Sequence, residues 1–338
     1  MIDFVSVYIK IRDFSYIFVL TCLPRFPFEQ RAQGKLFAFI GTHMQYDKPA
    51  LSYQEQLALL KNRGLVIANE ERAIHLLKFI SYYRLSGYWY PMLEEPKTEH
   101  LFKEGSKFQD AFNLYCFDRE LRQLIGSQLE KIEIAVRATL IYNLSHDHNP
   151  FWFEDQTLFS KKVSHARTLT KIEGEFKRSD EDFIKKFKRN YKNEFPPSWM
   201  ALEVCSFGSL SKLYENLKPG RSKREIASIY GLSDEVFGKW LHVMVYLRNL
   251  IAHHSRCWNK ILSIQPIKPR TTELQWLINE APNNRIYFSL SIILYLLQTV
   301  NPNQSFSRKI RLLIEKYPDT NIRDMGFPEN WQDEPLWN

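Results

Sequence analysis

The stretch from Phe108 to Leu144 limits the fold more than any other part of the chain. Along it Leu114, Phe117, Leu121, Leu124, Ile125, Ile132, Ala135 and Val136 recur at helical intervals. Apolar side chains three and four residues apart share one face of a helix, and that face must be buried against another element. Partners for it are spread along the chain. Val236, Phe237, Trp240, Met244, Leu247 and Ile251 mark the buried stripe of a helix from about Ser233 to Ser255. Trp199 to Leu217 and the strongly apolar Ile286 to Val300 predict two more bundle helices. From Tyr46 to about Leu93 the pattern predicts a small helical module, in which Ser52 caps a helix through Asn62, Gly64 ends it, and a second helix runs from about Glu70 to Tyr83. Pro91 to Gly105, polar and marked by proline, reads as the linker to the main part. Glycine is scarce, at 12 in 338 residues, and no strand pattern, repeat, glycine-rich phosphate loop or Ser-His-Asp pattern stands out, which argues against kinases, NTPases and common hydrolases. The predicted fold class is all-α. It comprises a helical module at 44–93, a helical domain at 106–300 with a basic insertion at about 155–195, and a C-terminal tail at 301–338.

The chemistry is concentrated in Leu247-Arg248-Asn249-Leu250-Ile251-Ala252-His253-His254. At roughly 100° per residue, His242, Tyr246, Asn249 and His253 fall on the face opposite the apolar stripe, Arg248 lies on its flank, and His254 points back toward the stripe. Asn249 and His253 are four apart and can touch, so the amide can orient the imidazole, and spacing prefers His253 over His254 as the chemical group. An imidazole passes protons near neutrality, and a guanidinium pairs with phosphate oxygens. Together they suit attack by an RNA 2′-hydroxyl on its neighbouring phosphate, which needs neither metal nor cofactor because the nucleophile belongs to the substrate. DNA, lacking that hydroxyl, should resist. The other reading is that arginine and histidine near a helix end only serve its dipole and carbonyls. For His254 a hydrogen-bonded place at the core edge is the alternative. His242 and Tyr246 either line the site, stand in solvent or sit in a subunit interface.

Arg248-Asn249-Leu250-Ile251-Ala252-His253 resembles the arginine, polar residue and later histidine that mark HEPN ribonucleases. The wider phrase from Leu247 to Asn259, ending in Arg256-Cys257-Trp258-Asn259, resembles the Abi-like proteins of bacterial phage resistance. Further blocks agree in order: Lys48-Pro49, Leu60 to Leu65, Tyr82 to Tyr88, Leu114 to Arg122, Pro196 to Met200, Phe207 to Leu210, and Met325 to Pro328. The resemblance covers nearly everything from about Tyr46 onward. It implies a HEPN-type helical bundle, a role in abortive infection or a toxin-like system in the bacterial cytoplasm, and cleavage of RNA without a metal. His253 would be the general base or acid, Arg248 the phosphate clamp and Asn249 the orienting amide. Two such motifs usually meet in a composite site and this chain has one good copy, so the resemblance also implies a homodimer, with an RNA or protein antitoxin as a further partner. The rival reading is a non-catalytic RNA-binding or adaptor protein that keeps the fold. A third is a helical DNA-binding regulator whose first module reads duplex grooves.

Charge fits a polyanionic partner without choosing RNA over DNA: 46 Lys and Arg exceed 38 Asp and Glu, giving +8 at pH 7. Between Lys161 and Lys192 basic residues, among them Lys185, Lys186, Lys188 and Arg189, interleave with Phe176, Phe183, Phe187 and Tyr191. The rings would dock this segment and free its basic face for phosphates, unless that face is only solvated. A shorter basic loop, Lys218 to Arg224, adds Arg221, Lys223 and Arg224. Glu130, Glu133 and Arg137 recur at three and four on the long helix, where they form surface ion pairs or hold Arg248 across the bundle. The Tyr82 to Tyr90 run either stacks on unpaired bases or packs the core. Cys22, Cys116, Cys205 and Cys257 have no zinc or CxxC spacing and read as buried or incidental thiols, and His146-Asp147-His148 reads as a solvated loop. Residues 1–43 are either an extension or a misplaced start, with Met44 the alternative. Asp3, Lys10, Arg12 and Asp13 disfavour a signal peptide, and the uncharged Phe14 to Pro24 is too short to insert stably in a membrane.

Overall fold

Ser52 begins the first helix as its sequence predicts. Its hydroxyl accepts from the Glu55 N–H at 3.3 Å while the Glu55 carboxylate accepts from the Ser52 N–H at 2.7 Å, so two otherwise orphaned donors are satisfied reciprocally. The computed structural model describes residues 48–338; the extension at 1–43, with Cys22, and the first residues of the 44–93 module lie outside them. The described chain is built from twelve α-helices: α1 Tyr53–Asn62, α2 Glu70–Ile80, α3 Tyr82–Trp89, α4 Phe108–Asp147, α5 Lys162–Arg178, α6 Asp182–Asn190, α7 Ser198–Ala201, α8 Phe207–Asn216, α9 Arg221–Ser228, α10 Asp234–Ala252, α11 Ile286–Val300 and α12 Phe306–Lys316. Among the described residues there is no sheet, only three isolated bridges. The fold is all-α, as the periodicity predicts.

The 40-residue α4 is the spine. It buries Leu114, Phe117, Leu121, Ile125, Ile132 and Val136 of the stripe read from sequence, together with Leu129 and Leu140, while Leu124 and Ala135 are half-buried. Helices α3, α8, α10, α11 and α12 all pack on it. Every residue of α11 from Ile286 to Leu297 is buried, which is why its apolar run shows no polar face. Among the described residues no helix is long and apolar enough to cross a membrane.

Three expected elements differ in detail. The helix predicted over Glu70 to Tyr83 breaks at Ser81, whose φ of +80° turns the chain and whose hydroxyl accepts from the Arg84 N–H to start α3. Trp199 to Leu217 is likewise two helices, because Ser206 restarts the chain by capping α8 through the Ser209 N–H. The basic stretch at 218–224 is not a loop throughout, since Arg221 opens α9. Residues 91–105 are tied down: Leu93 and Phe102 are buried, and the Phe102 N–H donates to the Arg63 carbonyl at 2.8 Å. Leu57, Leu60 and Leu77 of the first two helices thus belong to the same core as α4.

At the C-terminal end, Trp337 stacks on Tyr287 of α11 with ring centroids 5.3 Å apart, and Phe327 and Trp331 close around it. Gly326 makes the turn that lets Phe327 in: its φ is +87°, and an added Cβ would meet the Arg285 Cβ at 2.6 Å. Gly326→Ala is therefore expected to lower stability by about 2–4 kcal/mol from left-handed strain plus overpacking. A denaturant melt with an unchanged midpoint would show that this turn is not required.

Candidate functional site

Helix α10 starts conventionally, with the Ser233 hydroxyl accepting from the Val236 N–H at 3.3 Å, but it ends earlier than its apolar spacing predicts. His253 is the closing residue, its N–H donating to the Asn249 carbonyl at 3.0 Å. His254 then takes a left-handed backbone, φ +53°, and the Ser255 N–H reaches back to the Leu250 carbonyl at 2.9 Å. This closure satisfies the last carbonyls of the helix and turns the chain sharply. His254 consequently does not point to the apolar stripe, as helical spacing predicts, but is exposed beside His253.

The turn is held from α3 and α4. Asp118 on α4 is wholly buried, and its Oδ1 accepts from the Trp258 N–H at 2.8 Å and the Cys257 N–H at 3.0 Å. Its Oδ2 accepts from the Tyr88 hydroxyl at 2.7 Å and pairs with Arg122 one turn further on. Burial raises the Asp118 carboxyl above its ordinary pKa, and Arg122 and these hydrogen bonds pull it back. An acceptor facing four donors is satisfied as the carboxylate. Burial likewise pushes the Tyr88 phenol up, so it stays a donor. Arg84 on α3 donates to the His254 carbonyl at 2.8 Å, and Arg256 donates to the Gly87 carbonyl. Tyr88 thus packs the core, one of the two readings of its aromatic run, whereas the sequence pattern gives Asp118, Arg122 and Arg256 no role of their own. The available signal was an aspartate and an arginine four apart on the otherwise apolar face of α4, which no solvated ion pair requires.

Three contiguous cavities surround the turn. The first, about 380 Å³, is lined by Arg248 with Gly126, Glu130, Glu133, Arg137 and Ile251. The second, about 730 Å³, shares Gly126 and Ile251 with it and adds Arg84, Arg119, Arg122, Gln123, Ser127 and His254. The third, about 690 Å³, shares Arg84 and His254 with the second and adds Tyr83, His253, Arg256 and Lys260. Within one chain, therefore, His253 and His254 share a cavity, Arg248 shares one with Glu133 and Arg137, and Arg248 and His253 line opposite ends of the path. The Asn249 amide oxygen accepts from Arg248 at 3.4 Å, and among the described residues its side chain makes no hydrogen bond to His253.

The remaining candidates are placed as follows. Arg137 pairs with Glu133 at 2.9 Å and donates to the Cys205 carbonyl at 3.0 Å, so both line the Arg248 cavity as an ion pair of their own. His242 lies apart from the cavities, where burial, and then Lys212, lower its pKa against the opposing pull of Glu215. Tyr246 accepts from the Ser263 N–H at 3.4 Å and anchors the chain beyond α10. In the basic insertion Phe176, Ile184 and Phe187 form a small core of their own, with Phe183 left partly exposed. Lys188 closes α5 by donating to the Phe176 and Lys177 carbonyls, and Lys185 pairs with Asp180 at 3.7 Å. Lys186 and Arg189 are exposed, with no ion pair among the described residues. Arg221 pairs with Glu225 at 2.6 Å, Lys223 closes α8 on the Glu215 and Leu217 carbonyls, and Arg224 is exposed. Cys116, Cys205 and Cys257 are free thiols whose pKa values burial pushes up.

The family described as Abi-like protein matches residues 75–259, more than half of the chain. The match runs from α2 to Asn259 and so contains the buried Asp118 network and every cavity-lining residue named above except Lys260. No curated protein and no solved structure matches the chain.

Proposed function

The chain belongs to the Abi-like protein family, which points to a role in abortive infection, a form of phage defence; from that premise we propose that it acts as a metal-independent endoribonuclease of HEPN type. The observation that carries the reading is the path of three cavities. Arginine lines all of it, and two imidazoles stand exposed on a turn held rigidly from α3 and α4. Such a path suits a phosphodiester strand, because Arg119 and Arg248, which pair with no carboxylate or backbone carbonyl among the described residues, are left to bind its oxygens and stabilise the charge that builds on phosphorus. In the reaction the RNA 2′-oxygen bonds to the adjoining phosphorus and the bond from phosphorus to the 5′-oxygen breaks. One imidazole takes the hydroxyl proton and another donates a proton to the leaving oxygen. Arg248 and His253 line different cavities of one chain, and a homodimer that sets two such turns face to face would give a composite site.

Incubation with single-stranded RNA in EDTA is expected to yield fragments ending in 2′,3′-cyclic phosphate and 5′-hydroxyl, and the matching DNA strand is expected to stay intact. Equal cleavage of DNA, or products bearing a 3′-hydroxyl, would sink this chemistry. RNA bound but never cut would favour the non-catalytic, RNA-binding adaptor.

A further inference from the structure

We infer that Tyr83 is a stacking platform that seats an unpaired base of the RNA next to the histidine turn, so that this end of the path selects single strands. The inference rests on the nuclease reading for its substrate class and adds the group that positions that substrate. The two tyrosines that open α3 are used differently. Tyr82 packs edge-on against Trp89 at 5.1 Å, and its hydroxyl accepts from Arg63 at 3.0 Å. Tyr83 is 90% exposed, although it lines the 690 Å³ cavity together with His253 and His254. An aromatic ring usually gains from burial, so a ring left open on a rigid helix at the rim of a polar cavity has an unused binding face. Its mounting is rigid: the Ser86 hydroxyl donates to the Tyr83 carbonyl at 2.7 Å, and two residues further Tyr88 is bonded to buried Asp118.

The cavity has the remaining parts. Its volume falls within the roughly 300–1,000 Å³ typical of small-ligand sites. Arg84 and Arg256 are bonded to backbone carbonyls, whereas Lys260 forms no ion pair among the described residues and is the cation left for a phosphate. A ring on one wall, an ammonium and two imidazoles on the others match the base, phosphate and reacting oxygens of one nucleotide. Stacking accepts any base, since every base has a π-face, but it requires the base to be unpaired. The inferred selectivity is therefore for strandedness rather than sequence.

The test uses a short single-stranded RNA made wholly of 2′-O-methyl nucleotides, which lacks the attacking hydroxyl and so isolates binding, with 2-aminopurine placed in turn at each position. With the wild-type protein, fluorescence quenching is expected at one position. Tyr83→Ala is expected to abolish that quenching and weaken affinity roughly 5- to 150-fold, since a stacked base contributes about 1–3 kcal/mol and 1.4 kcal/mol is tenfold. Tyr83→Phe and Tyr83→Trp are expected to retain both. An abasic residue at the quenched position should make wild type and Tyr83→Ala bind alike. Equal affinity and quenching in wild type and Tyr83→Ala would overturn the platform even if the protein cuts RNA. If Tyr83-dependent quenching is present but unmodified RNA is never cut, the nuclease reading fails and the platform stands. The ring is exposed, so Tyr83→Ala is expected to fold normally, and an unchanged melting curve confirms that the loss is one of binding.

Discussion

His253→Ala is expected to lower RNA cleavage by roughly 10²- to 10⁴-fold, the usual contribution of a positioned acid or base, with little change in RNA affinity or melting temperature. The residue is exposed and only its backbone N–H takes part in closing α10, so the side chain can be removed without loss to the fold. His254 needs a different substitution, because its φ of +53° makes any replacement other than glycine or asparagine ambiguous. His254→Gly removes the imidazole and relieves the backbone. A loss of similar size there would identify the acid and base as the pair that share one cavity. Arg248→Ala is expected to lose roughly 10²- to 10³-fold, as for a group that stabilises transition-state charge. If the site is composite, with Arg248 of one chain beside His253 of the other, mixing Arg248→Ala with His253→Ala should restore part of the cleavage through hybrid dimers. A fully active His253→Ala would remove this histidine from the chemistry, and failure of the mixture to recover would exclude the composite site.

The second large effect is structural and lies at Asp118. Removing this carboxylate leaves Arg122 buried without its partner and also orphans the Cys257 and Trp258 N–H groups and the Tyr88 hydroxyl. Breaking a buried pair from one side costs about 3–5 kcal/mol, so Asp118→Ala should shift a denaturant midpoint by a large part of the chain's total stability. Tyr88→Phe removes one hydrogen bond, at about 1 kcal/mol, and provides a milder probe. In that variant, retained stability with lost cleavage would show that the network positions the histidine turn as well as holding the fold together. An Asp118→Ala protein that melts like wild type would show that the network contributes nothing to stability.

Much of the architecture is legible in the sequence because it depends on local spacing. The stripe on α4, the cap at Ser52 and the apolar α11 all follow from periods of three and four and from hydroxyl capping. The breaks at Ser81 and Ser206 are hidden, since the apolar period continues across them and only tertiary packing makes the chain turn there. Arg248 and His253 are legible by their residue types. Their allotment to separate cavities is not, because it depends on where α10 stops, and that is set by a carboxylate 139 residues before Cys257 in the chain. The local contacts of the basic surface are hidden for a similar reason. Lys188 and Lys223 look free in the sequence, yet each also donates to the last carbonyls of a neighbouring helix.

Helix α3 is only 8 residues long, yet nearly everything at this end of the molecule is fastened to it. It carries the exposed ring of Tyr83, grips the His254 carbonyl through Arg84, receives Arg256 at Gly87 and reaches Asp118 through Tyr88. Tyr83 and the histidine turn are thus both fastened to one short helix. Moving α3 away from α4 would therefore displace the Tyr83 ring and strip the Arg84 and Arg256 contacts from the histidine turn, while Asp118 kept its hold on Cys257 and Trp258.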